Sequence, residues 1–245
     1  MQIEQTASFT LDLPDCPAIA TVACSPFPSE RLETWRSWLR HDEVQRVSKY
    51  RKKVDQELFI ARRGLARESI AQMRAVLPSS ICFAVESLGK LNWASDDFDR
   101  KQSNSIRKLD FSISRSTGIV AMAGCDSARV GVDIETIAAL PELEMLAMQN
   151  LHPDELHIWR AIPRKDRTIA YYQLWVVKEA FAKALGVGLS QPPNSILSTQ
   201  ALAGLPRGTV QVKNDEGNAC AGSFWMASIG RRRRIAVVVA GNMGA

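Results

Sequence analysis

The segment Leu109-Asp-Phe-Ser-Ile-Ser-Arg-Ser-Thr-Gly-Ile-Val-Ala-Met-Ala-Gly-Cys-Asp-Ser-Ala-Arg-Val-Gly-Val-Asp-Ile-Glu135 decides the fold. Leu109–Ile113 and Gly118–Cys125 alternate Phe111, Ile113, Ile119, Ala121 and Ala123 with smaller or polar residues, as the arms of a hairpin do. Asp126-Ser127 makes the next turn, and Val130, Val132 and Ile134 then alternate with Arg129, Gly131, Asp133 and Glu135. That period of two marks a half-buried strand. Three sequential strands predict an antiparallel sheet, and helical stretches on either side make the chain α+β rather than doubly wound. Asp133 and Glu135 share one side of their strand, with side-chain roots roughly 6–7 Å apart.

The second decisive stretch is Gln173-Leu-Trp-Val-Val-Lys-Glu-Ala-Phe-Ala-Lys183, within a helix predicted over Asp166–Leu185 and closed by Gly186 and Gly188. Leu174, Val177, Phe181 and Leu185 form its apolar stripe, while Glu179 and Lys183, four residues apart, share a different face. Taken singly, the strand carboxylates read as exposed charges, and Glu179–Lys183 as an ion pair of ~0.3–0.5 kcal/mol. Taken together they make a site. Gly131 lets a backbone or ligand come close, and magnesium is commonly held by a few carboxylates and substrate phosphates. Three carboxylates and a lysine therefore point to a magnesium-dependent phosphate-transfer enzyme.

Composition is compatible with this and excludes several alternatives. The 245 residues suffice for one large domain or two lobes, and 46% hydrophobic with 23% charged residues is an ordinary globular balance. No segment approaches the ~20 apolar residues of a membrane helix. The N-terminus has no secretory pattern, so a cytoplasmic location is expected. The five cysteines are scattered and not in metal spacing, which argues for reduced thiols. His41, His152 and His157 form no cluster and read as structural. The formal charge of +5 favours anionic partners.

Along the chain, Ala18–Ala23 reads as a strand and Ser29 as the cap of a helical region running to Leu77, ended by Pro78. That region is also the basic one, holding Arg46, Lys49, Arg51, Lys52, Lys53, Arg62, Arg63, Arg67 and Arg74. Ile81–Val85 is a further strand, Gly89-Lys90 a turn and Ala94–Lys108 a loop. Short helices follow at Glu142–Asn150 and from His152, and strands at Thr209–Lys213, Gly222–Ile229 and Ile235–Ala240. Arg231–Arg234 reads as a solvated hairpin turn, and Lys178 as a structural ion-pair partner.

The order of Val130-Gly-Val-Asp-Ile-Glu135 and Trp175-Val-Val-Lys-Glu-Ala-Phe-Ala-Lys183 resembles the signature of the 4′-phosphopantetheinyl transferases. The larger single-chain type that activates surfactin-like synthetases is the better match. Phe111-Ser-Ile-Ser-Arg-Ser116, Lys183–Leu189 and Gly89-Lys90 resemble further family segments. The match is specific over 109–190 and loose elsewhere. It implies two pseudo-symmetric lobes, each a small antiparallel sheet packed with helices, with the active site in the cleft between them. The lobes would be residues 1–126 and 127–245, the last strands packing back on the first lobe.

The resemblance further implies transfer of phosphopantetheine from coenzyme A to a serine of an apo acyl or peptidyl carrier protein, releasing 3′,5′-ADP. Asp133, Glu135 and Glu179 would hold Mg²⁺ or Mn²⁺. Lys183 would contact the phosphate from which 3′,5′-ADP departs, and Glu179 would be the general base, with Glu135 or a metal-bound water as alternatives. Lys90, Ser114 and Arg115 fall on coenzyme-binding positions, and the basic residues in 46–67 are candidates for the 3′-phosphate, with Arg51 and Arg63 picked from among them. A monomer is expected. Two positions depart from the family pattern: Arg115 stands where a histidine is usual, and Leu91 where a proline is. An arginine binds phosphate bidentately but does not give up a proton near neutrality. The rival readings are a different magnesium-dependent enzyme, such as a nuclease or nucleotide hydrolase, and a coenzyme A- or RNA-binding module without turnover.

Overall fold

The computed structural model describes residues 6–14, 16–85, 90–94, 109–213 and 219–241. Gly89, and all but the first residue of the loop expected from Ala94 to Lys108, lie outside the described residues.

Strands β1 (Thr6–Leu11) and β2 (Ala18–Cys24) are followed by helices α1 (Ser29–Ser37), α2 (His41–Ser48) and α3 (Lys53–Arg74). Next come the short hairpin β3 (Cys82–Val85) and β4 (Leu91–Ala94), and strands β5 (Asp110–Ser116), β6 (Ile119–Cys125) and β7 (Arg129–Thr136). Helices α4 (Leu143–Asn150), α5 (Pro153–Ala161) and α6 (Arg164–Leu185) come next. The described chain closes with β8 (Ile196–Leu197), α7 (Thr199–Leu202), β9 (Arg207–Lys213), β10 (Ala219–Ile229) and β11 (Arg233–Ala240).

Two antiparallel sheets result, ordered β1-β2-β6-β5 and β7-β11-β10-β9-β8. Each carries a 22-residue helix on its outer face, α3 on the first and α6 on the second. The inner faces meet in one core: Ala20 and Val22 of β2 and Ala121 and Ala123 of β6 pack with Val130, Val132 and Ile134 of β7 and Val237 and Val239 of β11. Phe9 stacked on Trp225, centroids 6.3 Å apart, adds to this contact.

One expectation is corrected here. Strands β5, β6 and β7 do not form a single sheet. The hairpin β5–β6 is as predicted, but β7 pairs with β11 in the other sheet. The reason is burial: Ile235–Ala240 is an unbroken apolar run buried on both faces, so β11 takes an interior position and β7 pairs with it.

Strands β5 and β7 still lie side by side, and side chains join them. Asp110 Oδ2 accepts from the Val130 amide at 2.7 Å, Ser114 donates to Asp133 at 2.8 Å, and Ser116 accepts from the Thr136 amide at 3.0 Å. Both residue numbers rise together along the seam, so the two strands run parallel. This is the joint between the sheets, and it carries the site.

Smaller differences have local causes. Pro28, not Ser29, is the N-cap of α1, and no side chain caps it. Helix α3 stops at Arg74 because Ala75 adopts a left-handed φ of 52°. The turn near the end of the chain covers only Gly230–Arg232, with Arg233 and Arg234 inside β11. Arg234 is buried there, since the sheet register places it between Ser228 and Glu135.

Candidate active site

Gly131, Asp133 and Glu135 lie on the face of β7 that meets α6, opposite the apolar residues in the shared core. Gly131 is required by the helix. A β-carbon there would sit 1.8 Å from the Ala180 carbonyl oxygen, so β7 and α6 touch backbone to backbone. The close approach expected at this glycine is thus made by a helix, and it sets Asp133 directly under Lys183.

Lys183 Nζ donates to Asp133 Oδ1 at 2.6 Å, to Ser114 Oγ at 3.2 Å and to the Val132 carbonyl at 3.3 Å. All three of its protons are used. Its ion-pair partner is therefore Asp133, across the helix–strand contact, and not Glu179 one turn earlier on its own helix. Ser114 is buried and donates in turn to Asp133 Oδ1.

The other carboxylate oxygen, Asp133 Oδ2, is buried without a hydrogen-bond partner. Leaving a buried carboxylate oxygen unsatisfied is costly. Glu135 is half-buried and accepts from Ser116 at 3.1 Å; burial, then the charge of Asp133, hold its carboxyl above the usual range. Burial and Asp133 likewise raise Glu179. Among the described residues no group of three or more acidic, histidine or cysteine side chains is arranged closely enough to hold a metal ion. The donor set nevertheless fits a hard cation: the charge of Asp133 bears on both Glu135 and Glu179, Lys183 offsets it only in part, and one Asp133 oxygen is buried without a hydrogen-bond partner.

Glu179 and Lys183 line a cavity of about 260 Å³ that also includes Arg62, Lys90, Phe111 and Ser112. A second cavity of about 340 Å³ is lined by Arg46, Tyr50, Arg62, Arg63 and Arg115, with Asp55 as the acid on its wall. The two share Arg62 and Leu91. Together they reach the ~300–1,000 Å³ typical of pockets for cofactor-sized ligands.

The residues expected to bind the coenzyme are distributed unevenly. Lys90 reaches the first cavity while binding Asp110 Oδ2 at 2.7 Å and the Val130 carbonyl at 3.2 Å, which also fastens the β5–β7 seam. Arg115 is exposed on the wall of the second cavity, on the opposite side of β5 from Ser114. Arg63 reaches the same cavity, but it is already paired with Glu43 at 3.2 Å and lies between Phe59 and Phe83. Glu43 also holds the fully buried Arg67 at 2.7 Å, so one carboxylate serves two guanidinium groups. Arg51 sits in the exposed bend between α2 and α3 and is on the wall of neither cavity.

Sequence reading placed Arg46 and Arg62 only among the basic candidates of 46–67, and it did not single out the seam residues Asp110 and Ser116. The basic run 46–67 was visible, but which of its members turn inward depends on the rotation of α3. Lys178 behaves as expected: it is buried in an ion pair with Glu155 at 2.6 Å.

Comparison with known proteins falls on this same region. Residues 129–238, from β7 into β11, match the model of the 4′-phosphopantetheinyl transferase superfamily. The chain is 26% identical over 164 residues to the 4′-phosphopantetheinyl transferase HetI of Nostoc sp., covering 67% of this chain and 66% of that protein. It is 26% identical over 178 residues to a putative 4′-phosphopantetheinyl transferase of Synechocystis sp., covering 72% and 69%. A 4′-phosphopantetheinyl transferase of Bacillus subtilis is 30% identical over 131 residues, covering 54% and 53%. The aligned part thus spans between 53% and 69% of these relatives. The superfamily region contributes Asp133, Glu135, Glu179 and Lys183; Lys90, Arg62 and Arg115 come from the part of the chain before it.

Proposed function

We propose that the protein transfers the 4′-phosphopantetheine group of coenzyme A to a serine hydroxyl of an apo acyl or peptidyl carrier protein and releases 3′,5′-ADP. The observation that carries this reading is the hydrogen-bonded group of Lys183, which is on the cavity wall, with Asp133 and Ser114, in which one Asp133 oxygen is left unpartnered; Asp133 and Lys183 both fall in the stretch that matches the superfamily. A nuclease or nucleotide hydrolase is not favoured by the superfamily match.

Asp133, Glu135 and Glu179 are the residues that would hold Mg²⁺ or Mn²⁺. The cation would neutralise the diphosphate and draw charge from its oxygens as the bond to phosphorus breaks. In the transfer, the carrier serine oxygen attacks the phosphorus next to the pantetheine, and the bridging oxygen leaves with the nucleotide. Glu179, on the cavity wall, takes the serine proton. Lys183 exchanges one of its three protein acceptors for an oxygen of the departing phosphate. Ser114 holds Asp133 in place while that exchange happens. Lys90 lies on the diphosphate side of the cavity pair, and Arg115 and Arg63 lie on the side of the coenzyme's 3′-phosphate. No described helix is long and apolar enough to cross a membrane, and we propose a monomer acting on carriers in the cytoplasm.

The test is a mass measurement. Incubation with coenzyme A, Mg²⁺ and a panel of apo carriers from fatty-acid, polyketide and peptide synthesis should add one phosphopantetheine to at least one carrier. A panel that stays unmodified, with hydrolysis of nucleoside triphosphate or nucleic acid instead, would return the site to a generic magnesium-dependent phosphate enzyme.

A further inference from the structure

Cys16 and Cys125 are far apart in the chain and take no part in the site, yet the fold brings their thiols together. The β2–β6 ladder ends on the pair Ala18–Cys125. Two residues further out, Cys16 meets Ser127, its Sγ lying 2.7 Å from the serine Oγ. Residues two apart along a strand face the same way, so Cys16 and Cys125 are diagonal neighbours on one face, and both are buried in the apolar core shared by the two sheets. Cys16 precedes β2 and lies outside the ladder, so its backbone can close on Cys125 without breaking a strand pair. Ser127 and Pro17 are exposed, which puts Cys16 one layer beneath the surface.

The two sulfurs differ in kind. Burial pushes the Cys16 thiol up, but its contacts with Cys125 and Ser127 outweigh that and hold it below the ordinary thiol range; burial, then Cys16, push Cys125 above it. Cys16 is thus the member that supplies a thiolate, and Cys125 the member that keeps its proton, which is the division between an attacking and a resolving thiol. Exposure alone would favour other targets, since Cys82 and Cys220 are only half-buried. Oxidation at Cys16 and Cys125 would therefore report their pairing and not their accessibility.

We infer that Cys16 and Cys125 form a peroxide-oxidisable pair, a modification site that closes to a disulfide and straps the entry of β2 to the β6–β7 turn. The Cys16 thiolate attacks one oxygen of hydrogen peroxide; the O–O bond breaks, hydroxide leaves, and the sulfur is oxidised to a sulfenic acid. The Cys125 sulfur then attacks the Cys16 sulfur, the S–O bond breaks, and the hydroxyl departs as water with the Cys125 proton. In sum the two thiols lose two hydrogens and one peroxide becomes two waters. The strap falls where the chain crosses from the first sheet to the second, and it is independent of the proposed transfer.

Thiol counting by mass tests it. The full chain is reduced, desalted, treated with hydrogen peroxide, denatured and alkylated with iodoacetamide. All five cysteines should be alkylated before treatment and two fewer after it, with a Cys16–Cys125 cross-link in the proteolytic digest and full recovery in dithiothreitol. Cys16→Ser should form no cross-link, and Cys125→Ser should stop at a sulfenic acid on Cys16 that dimedone traps; Cys125→Ala serves the same end where a buried serine hydroxyl lowers the melting point. The oxidised wild type should melt at least ~5 °C above the reduced form, because the link restrains a long stretch of the unfolded chain. Five alkylated cysteines after peroxide, thiol loss at Cys82 or Cys220 in place of the pair, or a cross-linked chain that melts lower would overturn the inference. None of these outcomes bears on the transferase reading, which is decided by the carrier mass shift.

Discussion

Asp133 meets two opposing demands: one oxygen is held by Lys183 and Ser114, and the other is buried with nothing to bind. Asp133→Asn keeps the shape and replaces an acceptor by a donor facing Lys183. Transfer to an apo carrier should fall at least ~100-fold, with the circular dichroism spectrum unchanged. Glu179 is informative in the other direction. Its raised carboxyl means that the fold disfavours the ionised form. That cost is absent below the ordinary glutamate range, grows as pH rises through it, and is complete above the raised native value. Glu179→Gln should therefore lose transfer yet melt on the order of 2 °C higher than wild type in metal-free buffer at neutral pH, with the gap closing at acid pH. A variant that melts lower at every pH would show that Glu179 contributes to the fold. Arg115 supports a third test. Arginine keeps its charge across the working range, whereas a histidine among three arginines would be largely neutral above pH 7. In Arg115→His, coenzyme affinity should weaken as pH rises from 6 to 8, a dependence the wild type should lack.

At the level of elements, two contacts hold α6 in register with the site. The first is the backbone approach at Gly131, where an added β-carbon would meet Ala180 and Ala184 backbone atoms at 1.8 and 2.6 Å. Neither strand nor helix can yield without moving Asp133 from Lys183, so Gly131→Ala should abolish transfer and lower stability by several kcal/mol, about 3 or more, in urea unfolding. The second is the buried pair Lys178–Glu155. Lys178 also donates to the Asn150 and Pro193 carbonyls, and Glu155 accepts from the His152 and Ser198 amides, so α4, α5, α6 and the approach to β8 meet at one point. Lys178→Met leaves Glu155 buried and unpaired at a cost of ~3–5 kcal/mol, and adding Glu155→Gln should recover part of it. His152 belongs to this joint as the N-cap of α5, accepting from the Asp154 amide at 3.3 Å.

At the scale of the molecule, the two sheets are not separable units. β2 and β6 from one half and β7 and β11 from the other share a single apolar core. Residues 1–126 and 127–245 expressed separately should each expose that face and aggregate, and co-expression should restore some soluble protein. The same architecture explains where the site lies. The outer edge of the first sheet, β5, meets the outer edge of the second, β7, and α6 covers the joint. Hence Asp133, Glu135 and Glu179 come from one side of the joint, and most of the arginines on the cavity walls from the other.

The sequence by itself determined the α+β class, the strands within 109–135, the helix expected over 166–185, and the sharing of one strand side by Asp133 and Glu135 and of one helix face by Glu179 and Lys183. Those features are local: a period of two along a strand and a period of 3.6 along a helix assign faces without reference to the rest of the chain. Tertiary structure alone decided that β7 leaves the β5–β6 hairpin for β11, that Lys183 pairs with Asp133 and not Glu179, and that Arg62 in place of Arg51 reaches the cavities. Each depends on which surfaces remain to be buried once the elements have formed. That choice is set by two-sided burial of Ile235–Ala240, by the missing side chain at Gly131 and by the rotation of α3, quantities that no window of neighbouring residues contains.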